Sequence, residues 1–560
     1  MLIKREEVFM ENIINKIANV NDFINNIVWG VPIIVLLLGV GIYFSVRLGF
    51  IQFTKFKYIF KHTIGQAFKK SGGKGVISRG QAALISLGAI VGSGNIAGVA
   101  TAIASGGPGA LFWMWVAAFL GMATKFAEIA LGMFYRKVYK NKNGEDVIKG
   151  GPMYYLRNGL NSKFLAGFYA LMAIFSYIII AAVVDTNTIV EVIGSKFNVS
   201  SVLIASVLVV IVGIIIFGGV KRLGKFSSYF VPIMGILYVL GGLVLIVSHA
   251  DKIADVFVLV FKSAFKPAAA MGGFLGASVG QIIKYGLARG MYSNEAGLGT
   301  AAITENAAKV HHPVEQAIWG CTEVFLDTII VNTITGLIVI MSGLWTSGDS
   351  GSVLVMKASD YLMPGGFGSY FILISSTLFS FTCLTSSSYV CEESAEYLFG
   401  PKSLYVIKVL WLVFIFIGSF TTLDLAWDLA DTANGLMAIP NLIGLVFLAG
   451  KVSSLKKEYF KKYKNWEDFE KEKEVIEKQV KKYKKLGMDD VMVTRLLENE
   501  KVLDEKIAVL KAEMKPETKK ELNENLKQDE IERKEEIKQL ENNKNKGNNK
   551  KRKKKNKNRR

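Results

Sequence analysis

Two polar, glycine-rich stretches interrupt otherwise apolar segments of the chain: GAIVGSGNIAG at 88–98 and GLARGMYSNEAGLGTAAI at 286–303. Glycine inside a helix costs about 1 kcal/mol relative to alanine, and irregular backbone survives in a bilayer only where protein or a water-filled cavity surrounds it. A helix that breaks within each stretch would expose N–H groups suited to a carboxylate and C=O groups suited to a bare cation. The alternative for the first stretch is close helix packing through glycines four residues apart, a pattern that Ile96 interrupts.

Long apolar runs around both stretches predict an all-α polytopic membrane protein. The chain has 560 residues, of which 51% are hydrophobic, and the run 27–46 carries no charge over about twenty residues, enough to cross a hydrocarbon core. Soluble proteins lack such runs. The spacing of Cys321, Cys383 and Cys391 indicates neither a disulfide framework nor a metal site. We predict eleven spans, at about 28–47, 82–105, 109–135, 164–192, 199–219, 227–248, 274–304, 313–342, 367–398, 403–420 and 425–450.

The charges of the connecting loops predict the orientation in the cell membrane. Residues 47–80 carry eight Lys/Arg and no Asp/Glu, and further basic loops follow every second span. The positive-inside rule places these loops in the cytoplasm. We therefore expect an extracellular N-terminal segment at 1–27 and an additional N-terminal transmembrane helix at 28–47. A cytoplasmic amphipathic segment would follow at 48–80, lying on the inner membrane surface, although a plain basic loop is the alternative.

Residues 451–560 form a charged tail that the orientation places in the cytoplasm. This tail holds 35 Lys/Arg against 23 Asp/Glu, within a chain whose net charge is +20. Leu496, Leu503 and Leu510 stand seven residues apart, too few heptads to establish a coiled coil. The basic end at 550–560 could contact acidic lipid headgroups or nucleic acid, whereas the alternative is a disordered, solvated tail. No specific nucleic-acid partner is predicted.

The two interruptions stand in corresponding positions of two halves, at 81–250 and 251–450. Each interrupted span is the first of five predicted spans, and because five is odd the second set enters the membrane from the opposite side. Paired interruptions in an inverted repeat are typical of a secondary transporter whose site lies at the middle of the membrane.

Several ordered blocks of residues carry a family resemblance. GSGNIAGVATAIASGGPGALFWMWVAAFLGMATKFAEIALG (92–132), GGPMYYL (150–156), GLARGMYSNEAGLG (286–299), HP (312–313) and EYLFG (396–400) closely resemble the alanine or glycine:cation symporter family, of the amino acid–polyamine–cation superfamily. The resemblance covers about 28–450. It implies a fold similar to the leucine transporter, with two inverted five-helix repeats plus one N-terminal helix. It also implies symport of a small neutral amino acid with Na+ into the cell, and no cofactor.

The resemblance, carried over by position, implies a set of binding residues. Two backbone stretches and one serine would frame the substrate: Gly92, Ser93, Gly94, Asn95, Gly290, Met291, Ser293, Asn294 and Ser387. N–H groups of the first break would bind the substrate carboxylate, and the Asn95 and Asn294 amides with nearby carbonyls would bind the ammonium. The cation would lie between carbonyls of the first break and hydroxyls of a later helix: Ala89, Val91, Phe379, Thr382 and Thr385.

Three residues depart from what the resemblance implies. Cys383 stands where a hydroxyl is common, and sulfur is a poor ligand for a hard cation. Ser387 corresponds to a tryptophan often found in the family, and its small side chain would enlarge the site. Asp185 stands where an uncharged residue is expected; an intramembrane carboxylate is a functional candidate, and the alternatives are pairing with Lys284 or Arg289 or a place near the outer interface. A larger polar substrate, such as glutamine or serine, therefore stays an alternative.

Other functions are weighed against Na+-coupled symport. Glu323 and Asp327, four residues apart, could relay protons, which would suit a proton-coupled symporter, but a salt bridge to a basic neighbour is the favoured interpretation. A passive channel would use symmetric rings of carbonyls or charges, not two unlike breaks. An intramembrane enzyme would need a nucleophile–base pair or a metal set, and no such motif is recognised, so we predict no enzymatic activity.

Overall fold

The protein is helical almost throughout the part of the chain that its computed structural model describes. That part comprises residues 16, 18–25, 27–28, 31–69, 71–140, 146–266, 278–420 and 423–463. The predicted N-terminal segment is therefore described only in its last residues, and the heptad leucines and basic end of the tail lie outside the described residues.

From residue 31 onward, the described chain contains twenty-two α-helices and two short strands, besides shorter 3₁₀- and π-helical segments. The helices are α1 (Val31–Arg47), α2 (Ile51–Thr54), α3 (Phe56–His62), α4 (Arg79–Ile90), α5 (Val99–Gly106), α6 (Gly109–Tyr135), α7 (Pro152–Asn158), α8 (Lys163–Tyr177), α9 (Thr186–Phe197), α10 (Ser201–Ile216), α11 (Gly219–Val247), α12 (Ile253–Ser263), α13 (Val279–Asn294), α14 (Ala301–Thr304), α15 (Val314–Val324), α16 (Thr333–Ser342), α17 (Gly351–Leu362), α18 (Phe367–Ser386), α19 (Ser388–Phe399), α20 (Ser403–Gly418), α21 (Leu423–Phe447) and α22 (Ala449–Glu458). The strands are β1 (Lys137–Lys140) and β2 (Asp146–Lys149).

Among the described residues, six continuous helical stretches are long and apolar enough to cross a membrane: Gly109–Tyr135, Lys163–Phe197, Gly219–Val247, Val314–Ser342, Phe367–Phe399 and Leu429–Phe447. A seventh is the bent pair Arg79–Ile90 and Gly94–Gly106. Shorter apolar helices lie at Pro32–Arg47, Ser201–Ile216 and Ser403–Gly418. Helices thus occupy the predicted spans, while the count of eleven membrane crossings stays a prediction.

The outer faces of several helices carry apolar side chains. Val210 and Ile214 of α10, and Ile233, Ile236 and Leu240 of α11, are each about 60% exposed. An apolar surface of this extent marks a contact with lipid or protein. Polar groups show the reverse pattern, since many Ser, Thr, Asn, Asp and Glu side chains are buried.

Three π-helical segments occur inside the long helices, at Gly94–Gly98, Ile178–Asp185 and Phe325–Asn332. Segments of this kind are frequent at functional sites, because the wider turn redirects side chains and carbonyls. In this chain they carry Asn95, Asp185, Asp327 and Asn332, which all belong to the site described next.

Candidate functional site

The first interrupted span breaks at residues 91–93. Helix α4 ends at Ile90, Val91 is extended with φ −80° and ψ 92°, and the chain resumes as a π-helix at Gly94. The two halves are bent by 53°. The break predicted within 88–98 is therefore present.

Side chains of the protein bind two N–H groups at this break. The Gly92 N–H donates to Asn95 Oδ1 at 3.0 Å, and the Ser93 N–H donates to Asp185 Oδ1 at 3.1 Å. The Ser93 N–H, one of the donors predicted to bind the substrate carboxylate, is thus occupied by the carboxylate of Asp185.

Close neighbours explain the two glycines of the break. A Cβ atom on Gly92 would lie 3.2 Å from Cys383 Sγ and 3.3 Å from Asp185 Oδ1. A Cβ on Gly94 would lie 3.0 Å from Cδ1 of the Tyr292 ring. These distances are short for carbon contacts, so only glycine leaves room between the break and the side chains opposite.

Asp185 is buried at this site, with 1% of its surface exposed. The Cys383 and Ser380 side chains lie beside its carboxylate. The ion pair considered for it with Arg289 is not the one observed, because Arg289 pairs with Asp431 at 2.9 Å. A buried carboxylate among neutral groups is costly unless a cation or a proton joins it.

The residues predicted for the cation lie on the break of the first span and on α18, two elements that meet at the Ala89 carbonyl. The Ala89 carbonyl accepts a hydrogen bond from Cys383 Sγ at 3.1 Å. The Thr382 hydroxyl donates to the Phe379 carbonyl at 2.9 Å, and the Thr385 hydroxyl donates to the Thr382 carbonyl at 2.9 Å. Both hydroxyls therefore donate to carbonyls of their own helix, the alternative weighed for such residues, and Thr382 Oγ1 also lies 3.1 Å from Met234 Sδ of α11. The α18 side chain bonded to the Ala89 carbonyl is Cys383.

Ser387 and Val91 complete the residues predicted around the first break. Ser387 is fully buried, and its Oγ lies 3.5 Å from Cys383 Sγ. Val91 is buried as well, and its N–H still donates to the Leu87 carbonyl, so the helix keeps its last hydrogen bond before the chain turns.

The second interrupted span breaks later than the glycine pattern suggests. Helix α13 continues to Asn294, and Glu295, Gly297 and Gly299 then adopt positive φ angles of 55°, 101° and 82°. The Gly297 and Gly299 N–H groups both donate to Glu128 Oε1, at 2.9 and 3.0 Å. Asn441 Nδ2 donates to the same oxygen at 2.7 Å, so one buried carboxylate holds this break.

The predicted residues before the second break divide into two groups. Gly290 packs on α6, where an added Cβ would lie 3.1 Å from the Met114 Cα, and Met291 accepts the Glu295 N–H at its carbonyl. Ser293 and Asn294 instead turn to polar partners: Asn294 Nδ2 donates to Thr328 Oγ1 at 3.1 Å. Packing on α6 accounts for Gly290 without a ligand.

Ser293 and Asn95 join a polar group that includes side chains not predicted from sequence. Asn95 Nδ2 lies 2.9 Å from Ser293 Oγ, 2.6 Å from Asp327 Oδ1 and 2.9 Å from Asn332 Oδ1. The hydroxyls of Ser293 and Thr328 donate to Asp327 Oδ2 at 2.8 and 2.7 Å. We call this group the Asp327 cluster; its members are Asn95, Ser293, Asp327, Thr328 and Asn332. The signal in the sequence was the polar series FLDTIIVNT (325–333) inside an apolar span.

Glu323 and Asp327 have different partners although they stand on one helical face. Glu323 forms an ion pair with Lys125 at 3.2 Å, and neither side chain is exposed. Lys125 Nζ also donates to the Asn294 carbonyl at 3.0 Å. The salt-bridge interpretation thus describes Glu323, whereas Asp327 accepts its hydrogen bonds from neutral groups. No group of three His, Cys, Asp or Glu side chains arranged for a metal ion occurs among the described residues.

Known proteins resemble this chain over most of its length. The model of the sodium:alanine symporter family matches residues 14–474. The sodium/alanine symporter AgcS of Methanococcus maripaludis is 41% identical over 450 residues, which are 79% of this chain and 97% of that protein. The amino-acid carrier protein AlsT of Bacillus subtilis is 35% identical over 457 residues, covering 81% of this chain and 94% of its own. The probable sodium/glutamine symporter GlnT of Bacillus subtilis is 36% identical over 445 residues, covering 79% and 91%.

A solved structure supports the fold. The crystal structure of MhsT in complex with L-phenylalanine aligns with a TM-score of 0.53 at 12% identity, over 78% of this chain and 99% of that one. At this identity the likeness concerns the fold alone. The predicted leucine-transporter-like, all-α fold is confirmed.

Proposed function

The chain belongs to the sodium:alanine symporter family and is a sodium-coupled amino acid symporter; within this class, we propose that it carries a small neutral amino acid of the alanine and glycine class into the cell by alternating access. The observation that carries this proposal is the pairing of the Ser93 N–H with the Asp185 carboxylate in the buried first break. A donor for a carboxylate and an acceptor for an ammonium lie side by side there.

The binding step follows from this pairing. A zwitterion that enters the break exchanges one carboxylate for another: its own carboxylate accepts the Ser93 N–H, and its ammonium faces Asp185. Charge-assisted hydrogen bonds of this kind are about twice as strong as neutral ones. After this exchange the substrate carboxylate accepts the Ser93 N–H and the Asp185 carboxylate faces the ammonium, so neither buried carboxylate lacks a partner.

The neighbours of the break favour a small substrate side chain. The Tyr292 ring and Cys383 approach Gly94 and Gly92 so closely that a single added carbon would be within 3.2 Å of each. The relative AgcS, a sodium/alanine symporter, supports alanine. The name of GlnT and the small Ser387 side chain support the alternative of a larger polar amino acid.

The coupling cation is proposed to be Na+, bound beside the first break at the Ala89, Val91 and Phe379 carbonyls with Thr382 and Thr385. To bind the cation, the Thr382 and Thr385 side chains would have to rotate and give up their hydrogen bonds to carbonyls of α18. Asp185 would contribute negative charge close to this position. A proton is the alternative ion, because Asp185 could take one instead.

Uptake into proteoliposomes tests the proposal. Labelled alanine should accumulate when an inward Na+ gradient is imposed and should not accumulate when choline replaces Na+ at constant pH. Unlabelled alanine and glycine should compete, whereas alaninol and propionate, which each lack one charged group, should not. Stronger competition by glutamine than by alanine would overturn the small-substrate proposal, and accumulation driven by a pH gradient in choline would overturn Na+ coupling.

The Ser387→Trp variant separates the two substrate classes. An indole next to Cys383 would fill the space that a longer side chain needs, so competition by serine and glutamine should fall relative to competition by alanine and glycine. An unchanged ranking of competitors would show that Ser387 does not limit the size of the substrate.

A further inference from the structure

We propose that Glu305 and Glu323 share one proton and form a buried proton-binding site, separate from the substrate and Na+ positions proposed at the first break. The proton holds the two broken spans against the helices beside them. The site is argued from side-chain packing and does not rest on the proposed substrate.

The two glutamates lie against each other in the interior of the protein. Glu305 belongs to the connection between α14 and α15, and Glu323 belongs to α15; both side chains are fully buried. Their carboxyl groups lie within hydrogen-bonding reach of each other. Among the described residues, neither Glu305 Oε1 nor Glu323 Oε1 accepts a hydrogen bond from another group. Two ionised carboxylates in contact repel each other, whereas a proton between them forms a strong hydrogen bond.

The second oxygens of the pair indicate which glutamate carries the proton. Glu323 Oε2 lies 3.2 Å from Lys125 Nζ and accepts the Ser86 hydroxyl at 2.8 Å, so its ionised form is stabilised by two donors, one of them charged. In the described chain, the donor to Glu305 Oε2 is the neutral Gln316 amide, at 2.6 Å. The proton therefore belongs to Glu305 Oε1, from which it is donated to Glu323 Oε1.

The charges around the pair leave a surplus of carboxylates. Lys125 is fully buried, and its charge acts on five of them, contributed by α6, the second break, the connection before α15, α15 itself and the π-helical segment after it: Glu128, Glu295, Glu305, Glu323 and Asp327. Arg79, at the start of α4, is paired with Glu315 at 3.1 Å. A buried charge without a counter-ion is costly, and a proton at the pair removes one charge while it bonds two oxygens.

The pair joins the two broken spans to their neighbours. Ser86 belongs to α4 in the first broken span, and Glu305 follows the second. Lys125 Nζ also donates to the Asn294 carbonyl at 3.0 Å, where the second break begins. Loss of the proton would leave two ionised carboxylates in contact, with one more negative charge than before. We expect this loss to weaken the packing of both spans against α6 and α15.

The sign of the pH dependence follows from the environment of Glu305. Burial and the adjacent Glu323 carboxylate raise the pKa of Glu305 well above its ordinary value. An unfolded chain loses this proton at about pH 4.3, the ordinary pKa of a glutamate. Above that pH the folded protein binds one proton more at this site, so its stability must fall as the pH rises towards the raised pKa.

Infrared spectroscopy of the purified protein in detergent at neutral pH tests the shared proton, because a protonated carboxyl group has a C=O stretching band that an ionised carboxylate lacks. Glu305→Gln, whose amide keeps a donor towards Glu323, should fold and lose the band of one protonated acid. Glu323→Gln should lose the same single band although Glu305 is still present, because Glu305 then becomes the counter-ion of Lys125.

The matched control is Glu315→Gln, on the same helix as Glu323 and also buried, whose carboxylate is paired with Arg79. It should keep the whole protonated-acid band. Lys125→Met should change the spectrum in the opposite direction and gain the band of one protonated acid, because Glu323 then has no counter-ion. This variant covers the case in which Glu323→Gln does not fold.

Melting temperatures measure the consequence for stability. Between neutral and alkaline pH, the melting temperature of the wild type should fall more steeply than that of Glu305→Gln, which has no proton to lose at this position. Alanine uptake, with the same pH on both sides of the proteoliposome membrane, should decline over this range in the wild type and less in Glu305→Gln. The uptake measurement alone rests on the proposed function.

Three results would overturn the inference. A full protonated-acid band in Glu305→Gln would exclude the proton. A band lost in Glu305→Gln but kept in Glu323→Gln would assign the proton to Glu305 alone and exclude sharing. Parallel pH profiles of stability in the wild type and Glu305→Gln would exclude a role of the proton in the packing. A wild type that does not take up alanine would count against the proposed function and leave the infrared result intact.

Discussion

The two broken spans begin alike and end differently. Each starts with the same cap, SRGQ at 78–81 and SVGQ at 278–281, in which the serine hydroxyl accepts the glutamine N–H and the glutamine side chain accepts the serine N–H. The first helix then runs for 12 residues and the second for 16, about one turn more. The two caps stand 200 residues apart, at the start of the first helix in each of the two predicted repeats.

The difference lies in what binds the N–H groups that each break exposes. At the second break, Glu128 accepts two N–H groups and the Asn441 amide, all with one oxygen. At the first break, Gly92 and Ser93 donate to two separate side chains, Asn95 and Asp185, one bond each. A single bond to a side chain that can rotate is easily exchanged for a ligand. We infer that the second break is a fixed structural element and that the first is the one that exchanges its partners.

The largest effect is expected from Glu128→Ala. It leaves the Gly297 and Gly299 N–H groups without an acceptor and removes one of the two hydrogen bonds donated by Asn441 Nδ2. Each lost bond costs about 1–3 kcal/mol, so the melting temperature should fall on the order of 10 °C or the protein should fail to fold. Thermal unfolding followed by size-exclusion chromatography measures this. Glu191→Ala, at a partly buried glutamate of α9, is the control. A Glu128→Ala protein with wild-type stability would contradict the structural role of the second break.

Gly92→Leu should abolish uptake although a large fraction of the purified molecules should still be folded. The added side chain would meet Cys383 and Asp185 at the proposed carboxylate position. Gly98→Ala is the matched control, since its Cβ would have Arg289 Cδ, at 4.0 Å, as its nearest neighbour. Gly92→Ala should fall between the two. Normal uptake by Gly92→Leu would show that the substrate does not bind at the first break.

Asp185→Asn should weaken alanine binding about 10- to 100-fold, which corresponds to the roughly 1.5–3 kcal/mol of a hydrogen bond to a charged group. Its melting temperature should change by only a few degrees, in contrast to Glu128→Ala. Equilibrium binding of labelled alanine at saturating Na+ gives the affinity. If the variant binds alanine normally but loses stability as strongly as Glu128→Ala, the two breaks do not differ as inferred.

The smallest effect is expected from Cys383→Ser. Oxygen replaces sulfur beside the Ala89 carbonyl, and because a hard cation prefers oxygen ligands the half-saturating Na+ concentration should fall a few-fold. Cys391→Ser is the control, since that thiol donates to the Ile174 carbonyl at 3.7 Å, away from the first break. An unchanged Na+ requirement in Cys383→Ser would show that the cation does not bind next to residue 383.

Sequence reasoning succeeded where the physics is local. Apolar runs located the helices because a segment that crosses a membrane must form the hydrogen bonds of its backbone N–H and C=O groups within the segment itself. Glycines with Ser and Asn located the breaks because these residues favour a helix less than alanine does. Asn95 and Ser293 were both singled out from the sequence, and they contact each other at 2.9 Å. The second break, at Glu295–Gly299, lies within the predicted stretch 286–303, after Tyr292, Ser293 and Asn294 have continued the helix past its first glycines.

Sequence reasoning was less informative about side chains that point either into the site or back to their own helix. Thr382 and Thr385 have suitable hydroxyls, but both donate to carbonyls of α18, and the neighbouring Cys383 contacts the first break instead. Thr382 and Cys383 are adjacent in the chain, and the orientation of α18 about its own axis decides which of them contacts the first break.

What the sequence determined by itself is the class of protein, its helices and the two places where they break, because these follow from hydrophobicity and backbone strain within short segments. The tertiary structure decided which groups complete each break. Asp185 lies 92 residues from Ser93, Glu128 lies 169 residues from Gly297, and Asp327 lies 232 residues from Asn95. Contacts over such separations depend on how whole helices pack, and no periodicity in the chain encodes which carboxylate meets which N–H group.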